Sequence, residues 1–154
     1  MSNKLYMLIG VPGAGKSTWI KSQDWALGLS VVSTDNFVEA YAHMQHKTYN
    51  EVFKEYMPVA VRLMANQVEI CKANGVDIIW DQTSTTVNSR RKKFAMLPDY
   101  YAIAVVFRTP EPSELAARLN NRPGKTIPQH VINSMIEGWE EPTEAEGFKE
   151  IWYT

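Results

Sequence analysis

The run Gly10-Val-Pro12-Gly13-Ala14-Gly15-Lys16-Ser17 has the spacing G-x-x-x-x-G-K-[ST], the pattern of a loop that cradles phosphate with its own backbone. Glycines at 10, 13 and 15 admit backbone conformations closed to residues with a Cβ. Successive N–H groups can then converge on phosphate oxygens, and the helix that starts after the loop adds the positive end of its dipole. Lys16 is suited to neutralising the β and γ phosphates of ATP, and the Ser17 hydroxyl to ligating Mg²⁺. The candidate nucleotide contacts are Gly10, Pro12, Gly13, Ala14, Gly15, Lys16, Ser17 and Thr18.

Further along, Asp35 follows a short apolar run in Ser33-Thr-Asp-Asn-Phe37. A carboxylate beside a γ-phosphate can take the proton of an attacking hydroxyl, and Thr34, Asp35 or Asn36 can also cap a following helix. Asp81 ends Val76-Asp-Ile-Ile-Trp80, a strand-then-acid arrangement that would hold Mg²⁺ directly or through water. The next residues, Gln82-Thr-Ser-Thr-Thr86, offer an amide and hydroxyls either to an acceptor or to the cap of the next helix. Arg118 and Arg122 lie four apart, one helical face, and lead into the breaker-rich turn Asn120-Asn-Arg-Pro-Gly-Lys125. Arginines on such a hairpin can close over a triphosphate and stabilise the transferring phosphoryl group, or sit solvated at a helix end. Arg90-Arg91-Lys-Lys93 is the densest basic run, suited either to nucleic-acid phosphates or to a solvated helix face.

These groups need a frame, and the chain alternates strand-like apolar runs with helical patterns, the signature of a parallel sheet covered by helices. Strands are expected at Lys4–Ile9, Leu29–Ser33, Val76–Trp80, Tyr101–Phe107 and, at an edge, Lys149–Tyr153. Helices are expected at Lys16–Gln23, Asn36–His46, Val87–Ala95, from Pro112 to Arg122 and from Pro128 to Trp139. A long helical pattern through Phe53, Met57, Ala60, Met64 and Cys71 should kink or restart at Pro58 and end at Asn74-Gly75. In such sheets ligands collect beyond the carboxyl ends of the strands, where Asp35, Asp81 and the phosphate loop all fall.

The chain has 154 residues, 45% apolar and 21% charged, with a net charge of −1. That is an ordinary globular composition for one domain, without the overall basic charge of a polyanion binder. Residues 81–130 nevertheless carry eight basic and four acidic side chains, and residues 131–154 one basic and six acidic, so a local positive surface is expected in the middle third. No apolar run reaches membrane-spanning length, and Met1-Ser-Asn-Lys lacks a signal-peptide apolar segment. The lone Cys71 permits no internal disulfide and reads as a core residue in a cytoplasmic protein. His43 and His46 read as exposed, with no zinc spacing, and the five tryptophans as core and rim packing.

The ordered set Gly10–Thr18, Asp35, Asp81-Gln-Thr-Ser-Thr, Asn120-Asn-Arg122 and Glu141-Pro-Thr-Glu-Ala-Glu-Gly-Phe148 resembles the kinase domain of the polynucleotide 5′-hydroxyl kinases over nearly the whole chain. The resemblance implies a P-loop kinase fold: an α/β architecture with a parallel sheet of four to five strands, helices on both sides and a small helical lid at about 118–130, as one domain over residues 1–154. It implies transfer of the ATP γ-phosphate to a 5′-hydroxyl end of DNA or RNA. Lys16 and Ser17 would then be the phosphate and Mg²⁺ residues, Asp35 the general base, Arg122 the lid arginine, and Thr83 part of the acceptor loop. Phage members place an arginine three residues after the base to grip the acceptor; this chain has Val38 there, which leaves Arg90 and Arg91 as substitutes. The phosphatase domain of bifunctional members has no room here. Two alternatives stay open: a kinase for another hydroxyl, such as a hydroxymethyl group on a modified DNA base, a nucleoside or a small metabolite, and a nucleotide-dependent switch.

Overall fold

The computed structural model describes residues 2–26 and 30–154; Met1 and the expected start of the second strand at Leu29 lie outside them. Its elements in chain order are β1 (Lys4–Ile9), α1 (Lys16–Ser22), a 3₁₀ turn at Asp24–Ala26, β2 (Ser30–Val32), α2 (Thr34–Met44), α3 (Tyr49–Asn74), β3 (Ile78–Trp80), α4 (Val87–Met96), β4 (Tyr101–Val106), α5 (Pro112–Asn120), α6 (Gln129–Glu137), a 3₁₀ turn at Glu144–Glu146 and β5 (Glu150–Tyr153). The five strands form one parallel sheet in the order β2-β3-β1-β4-β5. From β1 the chain passes to the edge strand β2, returns to β3 beside β1, then crosses to the other side with β4 and β5. The crevice at this change of direction opens at the carboxyl end of β1, where the phosphate loop begins.

Alternation along β1 sends successive side chains to opposite faces. Leu5, Met7 and Ile9 join Trp80, Ala104 and Val106 under α3 and α4, whose Met64, Val68, Cys71 and Leu97 close the layer together with Phe148. Tyr6 and Leu8 join Ile79, Ile103 and Val105 on the other face, covered by Trp19 and Ile20 of α1. Cys71 is thus a core residue, and His43 and His46 are exposed. Trp80 is buried, whereas Trp25 and Trp152 form an exposed rim over Tyr6.

Three local expectations are revised. Helix α3 does not restart at Pro58 but runs on from Tyr49 to Asn74; Pro58 is exposed, so the carbonyl it leaves unpaired one turn earlier faces water. A reciprocal capping box between Thr48 and Glu51 fixes the start of this helix, and Gly75 ends it in the left-handed conformation with φ 62°. The cap of α2 is Ser33, whose hydroxyl accepts from the Asp35 N–H at 3.1 Å, so Asp35 lies inside the first turn with its carboxylate free for other partners. Helix α5 ends at Asn120, which places Arg122 in the turn beyond rather than on the same helix as Arg118. Among the described residues, no helix is long and apolar enough to cross a membrane.

Candidate active site

The phosphate loop leaves β1 at Gly10, whose N–H donates to the Thr83 carbonyl at 3.0 Å. This bond ties the loop to the segment after β3 before any ligand is considered. Gly13 and Gly15 have φ of 85° and 102°, and a Cβ at Gly15 would meet no atom within 4 Å. Glycine at 15 is required by backbone angle alone, and the space beside it is open cleft. Lys16 folds its ammonium back onto the Gly10 carbonyl at 2.6 Å. Burial lowers its pKa to about 8, with Asp81 and Asp35 opposing the shift and Arg122 and Lys125 adding to it. Those four charges act on Lys16 because all of them face one cleft of about 890 Å³, within the range of small-molecule sites.

The cleft floor is the phosphate loop with Ser17 and Thr18, one wall carries Asp35 and Tyr49, another Asp81, Gln82 and Thr83, and the roof Arg118, Arg122 and Lys125. The structure therefore brings Gly13, Lys16, Ser17, Asp35, Asp81, Thr83, Arg118 and Arg122 to one cleft. Burial raises the pKa of Asp81, partly offset by Lys16. Among the described residues, no three carboxylate, imidazole or thiolate groups converge as a self-sufficient metal site. The hydroxyl of Ser17 and the carboxylate of Asp81 are hard oxygen donors that fit Mg²⁺, an ion that keeps waters and borrows phosphate oxygens.

The roof is a helical hairpin seated on the loop. Leu115 and Ile132 pack with Val11, and Leu119 and Ile127 join them at the edge. Arg118 donates to the Gly13 carbonyl at 3.0 Å and pairs with Glu114 at 2.7 Å. The intervening turn docks on the start of α3. Gly124, with φ 70°, lies so close to Thr48 that a Cβ would come within 2.6 Å of it. Its carbonyl accepts from the Asn50 N–H at 3.0 Å, and the Thr126 N–H donates to the Asn50 side chain at 3.1 Å.

Two site residues escape the motif reading. The Tyr49 hydroxyl donates to Asp35 Oδ1 at 2.6 Å, and Lys125 donates to Asp35 Oδ2 at 3.2 Å and to Glu39 at 2.8 Å. Lys125 also stands 4.5 Å above the Tyr49 ring. Burial, and then the bond to Asp35, push the Tyr49 hydroxyl well above its ordinary pKa. Tyr49 opens a helix fourteen residues from Asp35 and matches no motif. Lys125 is visible in the breaker-rich turn, but only the fold reveals its partner.

The basic run on α4 needs correction. Arg90 is fully buried. Its guanidinium makes a forked pair with Glu146 at 2.7 and 3.2 Å and donates to the Ser84 carbonyl at 2.9 Å, so it cannot reach an acceptor. Lys93 turns inward over the Trp80 ring at 5.6 Å. Arg91 is exposed but lines a separate shallow depression with Phe94 and Thr143 and does not line the main cleft. The positive surface expected of the middle third is therefore divided: Arg118, Arg122 and Lys125 gather at the cleft, while Arg90 and Lys93 are structural. The Glu141–Phe148 tail supplies Glu146 to Arg90 and Phe148 to the core.

Among solved structures, a candidate kinase from Chloroflexus aurantiacus superimposes with a TM-score of 0.72 at 16% identity, covering 100% of this chain and 89% of that one. A chain of the Pnkp1/Rnl/Hen1 RNA repair complex gives 0.65 at 24% identity, covering 89% of this chain; this chain spans 44% of that one. A gluconokinase from Sinorhizobium meliloti gives 0.55 at 16% identity, over 97% of this chain and 81% of that one. All three share the parallel α/β fold of P-loop kinases. A family model described as an AAA domain matches residues 5–142, from β1 to the start of the tail, and so includes the phosphate loop, Asp35, Asp81 and the hairpin cations: the chain belongs to the AAA_33 family.

Proposed function

We propose that this protein is an ATP- and Mg²⁺-dependent phosphotransferase with an alcohol acceptor. The observation that carries this reading is one shared cleft: the Asp35 carboxylate on one wall, the phosphate loop with Lys16 on the floor, and three cations overhead. The loop N–H groups and Lys16 bind the phosphates, and Arg122, together with Arg118 and Lys125, confronts the charge that spreads over the transferring group. Mg²⁺ held by Ser17 and Asp81 would supply charge neutralisation between phosphates. Asp35 accepts the acceptor's hydroxyl proton as the new O–P bond forms. The bond from the γ-phosphorus to the bridging oxygen breaks, and ADP leaves with its electron pair.

For the acceptor we favour a 5′-hydroxyl end of DNA or RNA, on the strength of the motif order and the likeness to a chain of the RNA repair complex. One observation favours a second reading, a hydroxyl on a modified base, a nucleoside or a small metabolite. With Arg90 buried and Arg91 directed elsewhere, the groups beside the two carboxylates on the cleft walls are Gln82, Thr83 and Tyr49, which are neutral hydrogen-bonding groups. Labelled ATP offered with 5′-hydroxyl DNA and RNA, hydroxymethylated DNA, nucleosides and sugars separates the two. Label at 5′ ends supports the first, and label on internal bases or small molecules only supports the second. Lys16→Ala and Asp35→Asn should each lower transfer by at least about 10²-fold. Near-normal turnover by folded Asp35→Asn would remove it as the base, and rapid acceptor-independent hydrolysis would favour a switch.

A further inference from the structure

The two oxygens of Asp35 have different partners. Oδ1 accepts the Tyr49 hydroxyl at 2.6 Å, and Oδ2 accepts Lys125 at 3.2 Å. A short bond from a neutral donor on the rigid first turn of α3 fixes the carboxylate plane. A bond from an ammonium on a flexible four-carbon stem does not. The backbone around Lys125 is pinned on both sides, by the Gly124 carbonyl to Asn50 and by the Thr126 N–H to the Asn50 side chain. Its ammonium is held by side chains alone, Glu39 at 2.8 Å sharing it with Asp35 above the Tyr49 ring. The same head lies on the cleft with Arg122 and Lys16, where a triphosphate would set several negative charges against these two carboxylates.

Resting on the phosphotransferase reading, we infer that Tyr49 is a positioning residue that reserves Oδ2 of Asp35 for the acceptor proton, and that Lys125 is a latch on that oxygen, surrendered to the triphosphate when nucleotide enters. Oδ2 then exchanges its ammonium partner for the acceptor hydroxyl once the phosphate donor is bound. On transfer, the acceptor proton passes to Oδ2 as the γ-phosphoryl group passes to the acceptor oxygen. Tyr49 keeps its own proton throughout, since burial and the neighbouring carboxylate oppose its ionisation.

Steady-state kinetics of Tyr49→Phe, Lys125→Gln and Lys125→Arg test the pair, with the ammonium resonance of Lys125 followed by ¹⁵N NMR as a readout independent of turnover. Tyr49→Phe should lower kcat by about tenfold to a hundredfold, the scale of a misplaced catalytic group, with the KM for ATP unchanged. Lys125→Gln should raise the KM for ATP by about tenfold, with Lys125→Arg restoring most of it; a merely structural role would move neither in this selective way. The resonance, assigned by its loss in Lys125→Arg, should shift when a non-hydrolysable ATP analogue is added. A wild-type kcat in Tyr49→Phe overturns the positioning role, and a Lys125 resonance indifferent to bound analogue overturns the latch. If the wild type phosphorylates no hydroxyl while the resonance still moves with nucleotide, the latch stands and the choice of reaction falls.

Discussion

The forked pair between Arg90 and Glu146 joins α4 to the tail, and its removal from one side should be the most destabilising single change near the site. Arg90 has no exposed surface, and the Glu146 side chain is 9% exposed. Two contacts at 2.7 and 3.2 Å, with a third to the Ser84 carbonyl at 2.9 Å, occupy the guanidinium. Glu146→Leu leaves that cation buried without a counter-ion, a change worth about 3–5 kcal/mol. In a chain of this size each 1 kcal/mol moves the midpoint by roughly 2–4 °C, so thermal unfolding should shift down by about 6–20 °C. Arg90→Met/Glu146→Leu removes both charges and replaces them with apolar side chains of comparable length. Such exchanges are about neutral or better, so the double variant should recover most of the loss. Urea unfolding of the wild type, both single variants and the double variant gives the coupling directly. A Glu146→Leu cost below about 1 kcal/mol, or a double variant as unstable as the sum of the singles, would refute a buried, mutually dependent pair.

Two further changes probe the same region. Burial lowers the pKa of Lys93 from 10.5 to about 8, so below pH 8 the folded state carries a charge it disfavours. Stability should rise as pH passes from about 8 towards 10.5, where the folded protein has released a proton that the unfolded chain still holds. Lys93→Met should therefore stabilise by on the order of 2 kcal/mol at pH 7, with the advantage vanishing near the upper pH; a pH-independent difference in urea midpoints would contradict this. Ser84 has φ 48° and a buried hydroxyl with no hydrogen-bond partner among the described residues. Ser84→Gly relieves both at the expense of chain entropy and should raise stability by about 1 kcal/mol, with a lower urea midpoint counting against it.

The phosphate loop, Asp35 and Asp81 were readable because each follows a strand with a local spacing of its own, and Arg118 and Arg122 because they stand four apart before a breaker-rich turn. Strand existence followed from apolar runs: β1 spans Lys4–Ile9 as expected, and β3, β4 and β5 are each shorter than expected by a residue or two at one end. Arg90 and Lys93 were not readable. A basic run on a helix is ordinarily solvated, and only a buried carboxylate fifty-six residues away, in a tail that wraps α4, draws the guanidinium inward. Tyr49 was hidden for the opposite reason, an aromatic at a helical position being indistinguishable from core. Helix α3 continued through Pro58 because tertiary packing of Val52, Ala60, Met64 and Val68 outweighs one missing backbone bond.

Between Asp81 and Thr86 three consecutive carbonyls are clasped: Thr83 by the Gly10 N–H, Ser84 by Arg90 and Thr85 by the Glu140 N–H. Lengthening or shortening this stretch by one residue would drag the nucleotide cradle, α4 and the tail together. On the proposed reading, a new acceptor preference on this scaffold is reached by exchanging side chains such as Gln82, Thr83 and Tyr49 rather than by grafting loops of different size at this stretch.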